Sequence, residues 1–112
     1  MLVLYVAEGL IGGLLYRGEI DNFDNELKQG IYYVNGKMET GDNFTQLTSG
    51  APIGAYRFGN LLVLKSIYGT CTTQIYFPIS YERYDNQMYW RTSNETNKSK
   101  GKWRKETSEQ II

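Results

Sequence analysis

From Ile31 onward the chain is a succession of short apolar and aromatic runs, each closed by a turn signal. That rhythm restricts the fold more than any other feature. IYYV (31–34) leads into Asn35-Gly36, LLVLKSIY (61–68) into Gly69-Thr70, and CTTQIYFPI (71–79) has Pro78 at its end. QMYWRT (87–92) follows Asp85-Asn86, and KWRK (102–105) closes the series. Runs of this length, rich in Tyr, Thr, Val and Ile and bounded by Gly, Asn and Pro, are strand signals. Ten Tyr and twelve Gly in the chain serve such a pattern, one in the strands and the other in the turns. The predicted fold is therefore mainly β (α+β): a small antiparallel sheet domain with one short helix near the N-terminus.

The helix is expected in DNFDNELKQG, residues 21–30. Asp21 or Asn22 can cap it, Asp24 and Glu26 lie at the positive dipole end, and Lys28 lies late. Gly30 is placed to end it, and Phe23 and Leu27, four apart, give it one apolar stripe. Residues 14–19 read as a short strand before it, and residues 37–55, with Pro52, as a long loop. The expected core is Phe23, Leu27, Ile31, Leu62, Leu64, Ile75 and Trp103.

A chain of 112 residues supports one domain with one core. The division expected is an apolar lead-in or oligomerisation segment over 1–13, a β domain over 14–105 and a loose tail over 106–112. Residues 1–7 are continuously apolar, so the segment is expected to be buried, against symmetry mates, as the stub of a longer shaft, or as an ordinary strand within the domain. Glu8 cuts the run well short of the ~20 residues of a membrane span, and no basic residue precedes it as in an export signal.

Composition excludes several kinds of chemistry. Twelve basic residues balance twelve acidic ones, which disfavours a dedicated nucleic-acid binder. Without His the chain lacks the commonest general base and metal ligand, and the single Cys71 allows neither an internal disulfide nor a Cys-rich zinc site. Glu19, Asp21, Asp24 and Glu26 cluster, but a helix start and a solvated face account for them without a glycosidase pair across a cleft. Neither a Gly-x-Ser-x-Gly elbow nor a dinucleotide fingerprint occurs, and three N-glycosylation sequons, at Asn43, Asn94 and Asn97, mark exposed loops only. The expectation is a protein that is not an enzyme and has no cofactor or metal.

The aromatic residues suggest binding. Tyr32-Tyr33, Tyr76-Phe77 and Tyr89-Trp90 are adjacent pairs on three strands, and neighbours on a strand face opposite ways. One member of each pair can fill the core while the other lines a flat platform suited to sugar rings or protein hot spots. Coverage of both faces, with all six structural, is the competing reading. Gln74, Asn86 and Arg91 would supply polar partners. In NKSKGKWRK (97–105), which holds five of the twelve basic residues, Lys98, Lys100, Lys102 and Arg104 alternate. On a strand they share one face, with Trp103 on the other. A lysine-blocked edge, an anion-facing patch for a phosphorylated or acidic surface glycan, and a nucleic-acid contact each explain that stripe. The candidate ligand-binding residues are Tyr33, Gln74, Tyr76, Tyr89, Arg91, Lys100 and Lys102.

The order of these motifs resembles the knob-type domain of phage and R-type pyocin tail fibres. The series is YRGEIDNFDNELKQGIYYVNG, then GAPIG, GNLLVLKSIYGTCTTQIYFP, NQMYWRT and GKW. Positions matching that family's pattern are Leu27, Gly30, Tyr32, Pro52, Leu62, Val63, Gln74, Tyr76, Tyr89, Arg91 and Trp103, spread over about residues 14–105. The resemblance implies a virion-tail module, commonly trimeric, that works with other tail proteins to attach the particle to a bacterial surface glycan or other host receptor. Cleavage of that receptor, nucleic-acid binding and membrane insertion are not expected.

Overall fold

The computed structural model describes residues 15–25, 27–37, 41–79, 87–96 and 99–107. They form six strands: β1 (Tyr16–Ile20), β2 (Gly30–Asn35), β3 (Phe58–Lys65), β4 (Cys71–Pro78), β5 (Gln87–Asn94) and β6 (Arg104–Thr107). All six belong to one sheet whose spatial order follows the chain. Pairing is antiparallel from β2 to β6, but β1 runs parallel to β2, so the sheet is mixed rather than purely antiparallel. The expected lead-in over 1–13, the Asp85-Asn86 turn, Lys98, the sequon at Asn97 and residues 108–112 lie outside the described residues.

No helix forms among the described residues, and the expected one over 21–30 is replaced by turns and bends. Ten residues with one apolar pair nucleate a helix poorly, and tertiary bonds claim the backbone. The Phe23 carbonyl accepts from Gln74 Nε2 at 2.8 Å and from Arg91 at 3.1 Å, and the Phe23 N–H donates to the Ser49 carbonyl at 2.8 Å. Asn22 acts as a local cap, its Oδ1 accepting from the Asp24 N–H at 2.8 Å, but it closes an Asx-type turn instead of opening a helix. This connection carries Phe23 across the sheet to the middle of β4 and β5.

One sheet face is thereby covered. Alternate residues Tyr32 and Val34, Leu61 and Val63, Tyr76 and Tyr89 point inward, joined by buried Thr72, Gln74, Arg91 and Ser93. Over them lie Phe23, Phe44, Ala51 and Ala55 from the two connections, with Leu27 and Trp103 packed at the margin. Phe23 meets the rings of Phe44, Tyr76 and Trp103 edge-on at 5.5, 5.4 and 5.6 Å, the arrangement that aromatic quadrupoles favour. Gly36 begins the long connection as a packed residue and not as a hairpin turn. A Cβ there would collide with the Phe44 ring and the Arg57 carbonyl, and the Gly36 N–H donates to that carbonyl at 2.9 Å.

Of the expected core, Phe23 is central, and Leu27 and Trp103 are partly buried against it. Ile31, Leu62, Leu64 and Ile75 instead face the other side of the sheet, where they are half-buried. Register aligns Ile31, Leu62, Ile75 and Trp90 in one row across that outer face. β3 is apolar on both faces, so alternation alone cannot tell which side the covering loops will choose.

Candidate functional site

The residues singled out from the sequence fall in four places. Tyr76 and Arg91 are core residues with almost no surface to offer a ligand. The Tyr76 hydroxyl donates to the Tyr56 carbonyl at 2.7 Å, and burial raises its pKa far above the ordinary phenol value. Arg91 donates to Gln74 Oε1 at 2.8 Å, to the Phe23 carbonyl at 3.1 Å and to Asp24 Oδ1 at 2.9 Å, while its guanidinium lies 4.7 Å from the Trp103 ring centre. Its work is to pin the 21–29 connection onto the sheet.

Tyr33 lies on the outer face, as do Phe77 and Trp90, while Tyr32, Tyr76 and Tyr89 point inward. Each aromatic pair therefore splits between the faces as strand geometry requires. Tyr33 and Phe77 share one row with Asn60 between them, whereas Trp90 belongs to the next row and carries the Arg104 guanidinium 5.7 Å from its ring centre.

Lys100 and Lys102 are exposed, but the alternating basic stripe does not exist, because residues 101–103 are not a strand and β6 starts only at Arg104. Lys100 lines a small cleft with Lys65, Thr72, Gln74, Ser93, Glu95 and others; its volume of about 20 Å³ has room for one water.

Tyr89 lies in a larger hollow. An open groove of about 350 Å³ runs between the tip of the long connection and the inner side of the β5–β6 edge. Pro52, Ile53 and Gly54 form one wall, Gln87, Tyr89 and Lys105 the other, with Trp103 and Arg104 between them. The walls follow from local structure. Gln87 and Tyr89 are two apart on β5 and share a face, and register sets Lys105 opposite Tyr89. Trp103 is fixed by the bond from its indole nitrogen to the Gly50 carbonyl at 2.6 Å. The Tyr89 hydroxyl donates to Gln87 Oε1 at 2.7 Å, which turns the Gln87 amide nitrogen away to act as a donor elsewhere. Ile53 is 65% exposed and offers an unfilled apolar contact.

The volume is at the lower end of the range for small-molecule sites, and apolar walls with a few directed polar groups are their usual construction. Of this set, the sequence alone points only to Tyr89. Gln87 carried a usable signal, lying two residues before Tyr89 on the same strand. Lys105 and Ile53 depend on strand register and on the path of a loop.

Among the described residues no group of three or more acidic or Cys side chains could hold a metal, and no helix is long and apolar enough to cross a membrane. Comparison with family models, with curated proteins and with solved structures finds no match to this chain.

Proposed function

We propose that this chain is an attachment module of the phage tail-fibre kind, which holds a bacterial surface glycan without cleaving it. The groove walled by Ile53, Gln87, Tyr89, Trp103 and Lys105 is the observation that carries the reading. It joins an apolar wall to amide and ammonium donors, which is what a sugar ring with one apolar face and a rim of hydroxyls needs. The ordered series of knob-like motifs supports the same reading and adds a virion-tail setting, other tail proteins as neighbours and a trimeric state. Among the described residues, the groove's lining contains no carboxyl pair to break a glycosidic bond.

An array of bacterial surface glycans, probed with the full chain and with Gln87→Ala and Ile53→Ala variants, tests the proposal. Binding by the parent and about tenfold weaker binding by the variants is the expected result. Failure to bind any glycan or intact cell would overturn it, and release of free sugar would overturn the non-cleaving part.

A second reading, a structural tail module whose aromatics make subunit contacts, draws on the outer sheet face. Its row of Ile31, Leu62, Ile75 and Trp90 gives that face the apolar character of an interface. Normal assembly without glycan binding would favour that reading.

A further inference from the structure

We propose that the sugar held in the Ile53–Lys105 groove is an acidic one, whose anionic group is paired with Lys105. The inference rests on reading the groove as a glycan site and adds the charge of its occupant. Among the described residues, the groove's lining turns one cation, Lys105, inward and contains no carboxylate, although the whole chain is balanced at twelve basic and twelve acidic residues. The local excess is therefore a property of this hollow and not of the composition.

Among the described residues, acids elsewhere do not offset it. Asp24, which reaches the Gly50 end of the Trp103 support, is already engaged by Arg91 at 2.9 Å. Glu106 adjoins Lys105 in sequence but points to the opposite side of β6, being in register with Met88 while Lys105 is in register with Tyr89. Among the described residues Lys105 has no ion-pair partner.

Hydrogen-bond polarity agrees with the charge. Two of the polar groups in the walls have already used an acceptor or a proton on each other: Gln87 Oε1 takes the Tyr89 hydroxyl proton. The indole N–H of Trp103 is spent on the Gly50 carbonyl. What remains directed at a ligand is donor-rich, namely the Gln87 amide nitrogen and the Lys105 ammonium, while the Arg104 guanidinium lies over the Trp90 ring on the outer face. A neutral sugar offers hydroxyls that both donate and accept. A carboxylate or phosphate only accepts, and it matches a donor-rich rim with charge-assisted bonds. Ile53 and the Trp103 ring edge then contact the carbon face of the same ring.

The test is titration of the isotopically labelled full chain, followed by amide chemical shifts, with glucose, glucuronic acid and glucose 6-phosphate. Inorganic phosphate is the sugar-free control. At about 0.05 M salt the two charged sugars are expected to bind about fivefold more tightly than glucose. Their shifts should centre on residues 52–54, 87–89 and 103–105. The advantage should shrink at about 0.5 M salt. Lys105→Gln, at an exposed position, should abolish the advantage of the charged sugars over glucose while leaving the circular dichroism spectrum unchanged. Preference for glucuronic acid alone would identify a carboxylate as the anion, and preference for glucose 6-phosphate alone a phosphate.

Equal affinity for all three sugars, or a preference that survives Lys105→Gln, would overturn the inference and leave the glycan reading standing. Binding of phosphate as tight as that of either charged sugar would overturn both, because the groove would then be an anion site without sugar recognition. No binding of any sugar, or charged-sugar shifts centred elsewhere on the sheet, would likewise remove the glycan reading of the groove and the inference with it.

Discussion

Arg91 stands between Tyr89 and Ser93 on the inner face, where strand alternation calls for an apolar side chain. It is tolerated there because its Nε and one terminal nitrogen are matched to acceptors: the Gln74 amide oxygen, the Phe23 carbonyl and the Asp24 carboxylate. Truncating one partner of such a buried set leaves the others desolvated, so Arg91→Ala is expected to cost about 3–5 kcal/mol. Asp24→Asn should cost only about 1 kcal/mol, since the Asp24 side chain is 41% exposed and its charge is partly screened. Urea midpoints of the two variants check this ranking; equal losses would refute it. Tyr76 adds a pH dependence. Burial raises its pKa, so above about pH 10 the unfolded chain releases a phenolic proton that the folded chain keeps. This contribution to stability is complete below about pH 10 and declines as the pH rises further. Tyr76→Phe should be less stable by about 1 kcal/mol at neutral pH, from the lost bond to Tyr56. The gap to the parent should narrow between about pH 10 and pH 11, as denaturation across that range can measure.

At the scale of elements, the β3–β4 hairpin shows how a polar side chain sets a strand end. The apolar run 61–68 predicts a strand to Tyr68, yet β3 stops at Lys65. Ser66 Oγ accepts from the Thr70 and Cys71 N–H groups at 3.0 and 3.1 Å, and Gly69 takes φ +70°, so the turn closes early. Ile67 and Tyr68 are left 90% and 87% exposed. Ser66→Ala is expected to lose about 1 kcal/mol, whereas Tyr68→Ser should stay within about 0.5 kcal/mol of the parent in thermal melts. Five of the six strands were legible within a few residues because Gly, Asn and Pro punctuate them, and β6 was legible only in part. The helix over 21–30 was not, since Phe23 and its two backbone groups answer to β4, β5 and Ser49, partners remote in sequence. Parallel entry of β1 depends on the same crossing. The choice of face in β3 was equally hidden, because Leu61, Leu62, Val63 and Leu64 are chemically alike. The candidate site was half visible for a related reason: Tyr89 and the basic run up to Lys105 stand out in the sequence, but their meeting across a wall of Ile53 is a product of the fold.

At the scale of the whole molecule, the described connections cover one face of the sheet, and its two sides divide the labour. The inner side holds the ring cluster and the Arg91 network, and the groove opens at that layer's margin. The outer side presents an apolar row to whatever lies against it. Strand order that follows the chain also bears on how the molecule is reached from the unfolded state. β3, β4 and β5 pair with their sequence neighbours, and the β3–β4 ladder closes across a turn of residues 66–70. Closing a short loop costs little chain entropy, so this ladder can form before the distant contacts repay their ordering. The crossing connection must wait, because the Phe23 carbonyl has no acceptor role until Gln74 and Arg91 stand side by side. Val63→Ala should therefore slow folding, with a φ-value above about 0.5, while Ile20→Val on β1 should mainly speed unfolding, with a φ-value below about 0.3. Stopped-flow chevrons of the two variants would measure this, and the reverse ranking would mean that β1 and the crossing nucleate the sheet. If the ranking holds, the proposed binding edge takes its shape only after the central ladder of β3 and β4 has closed.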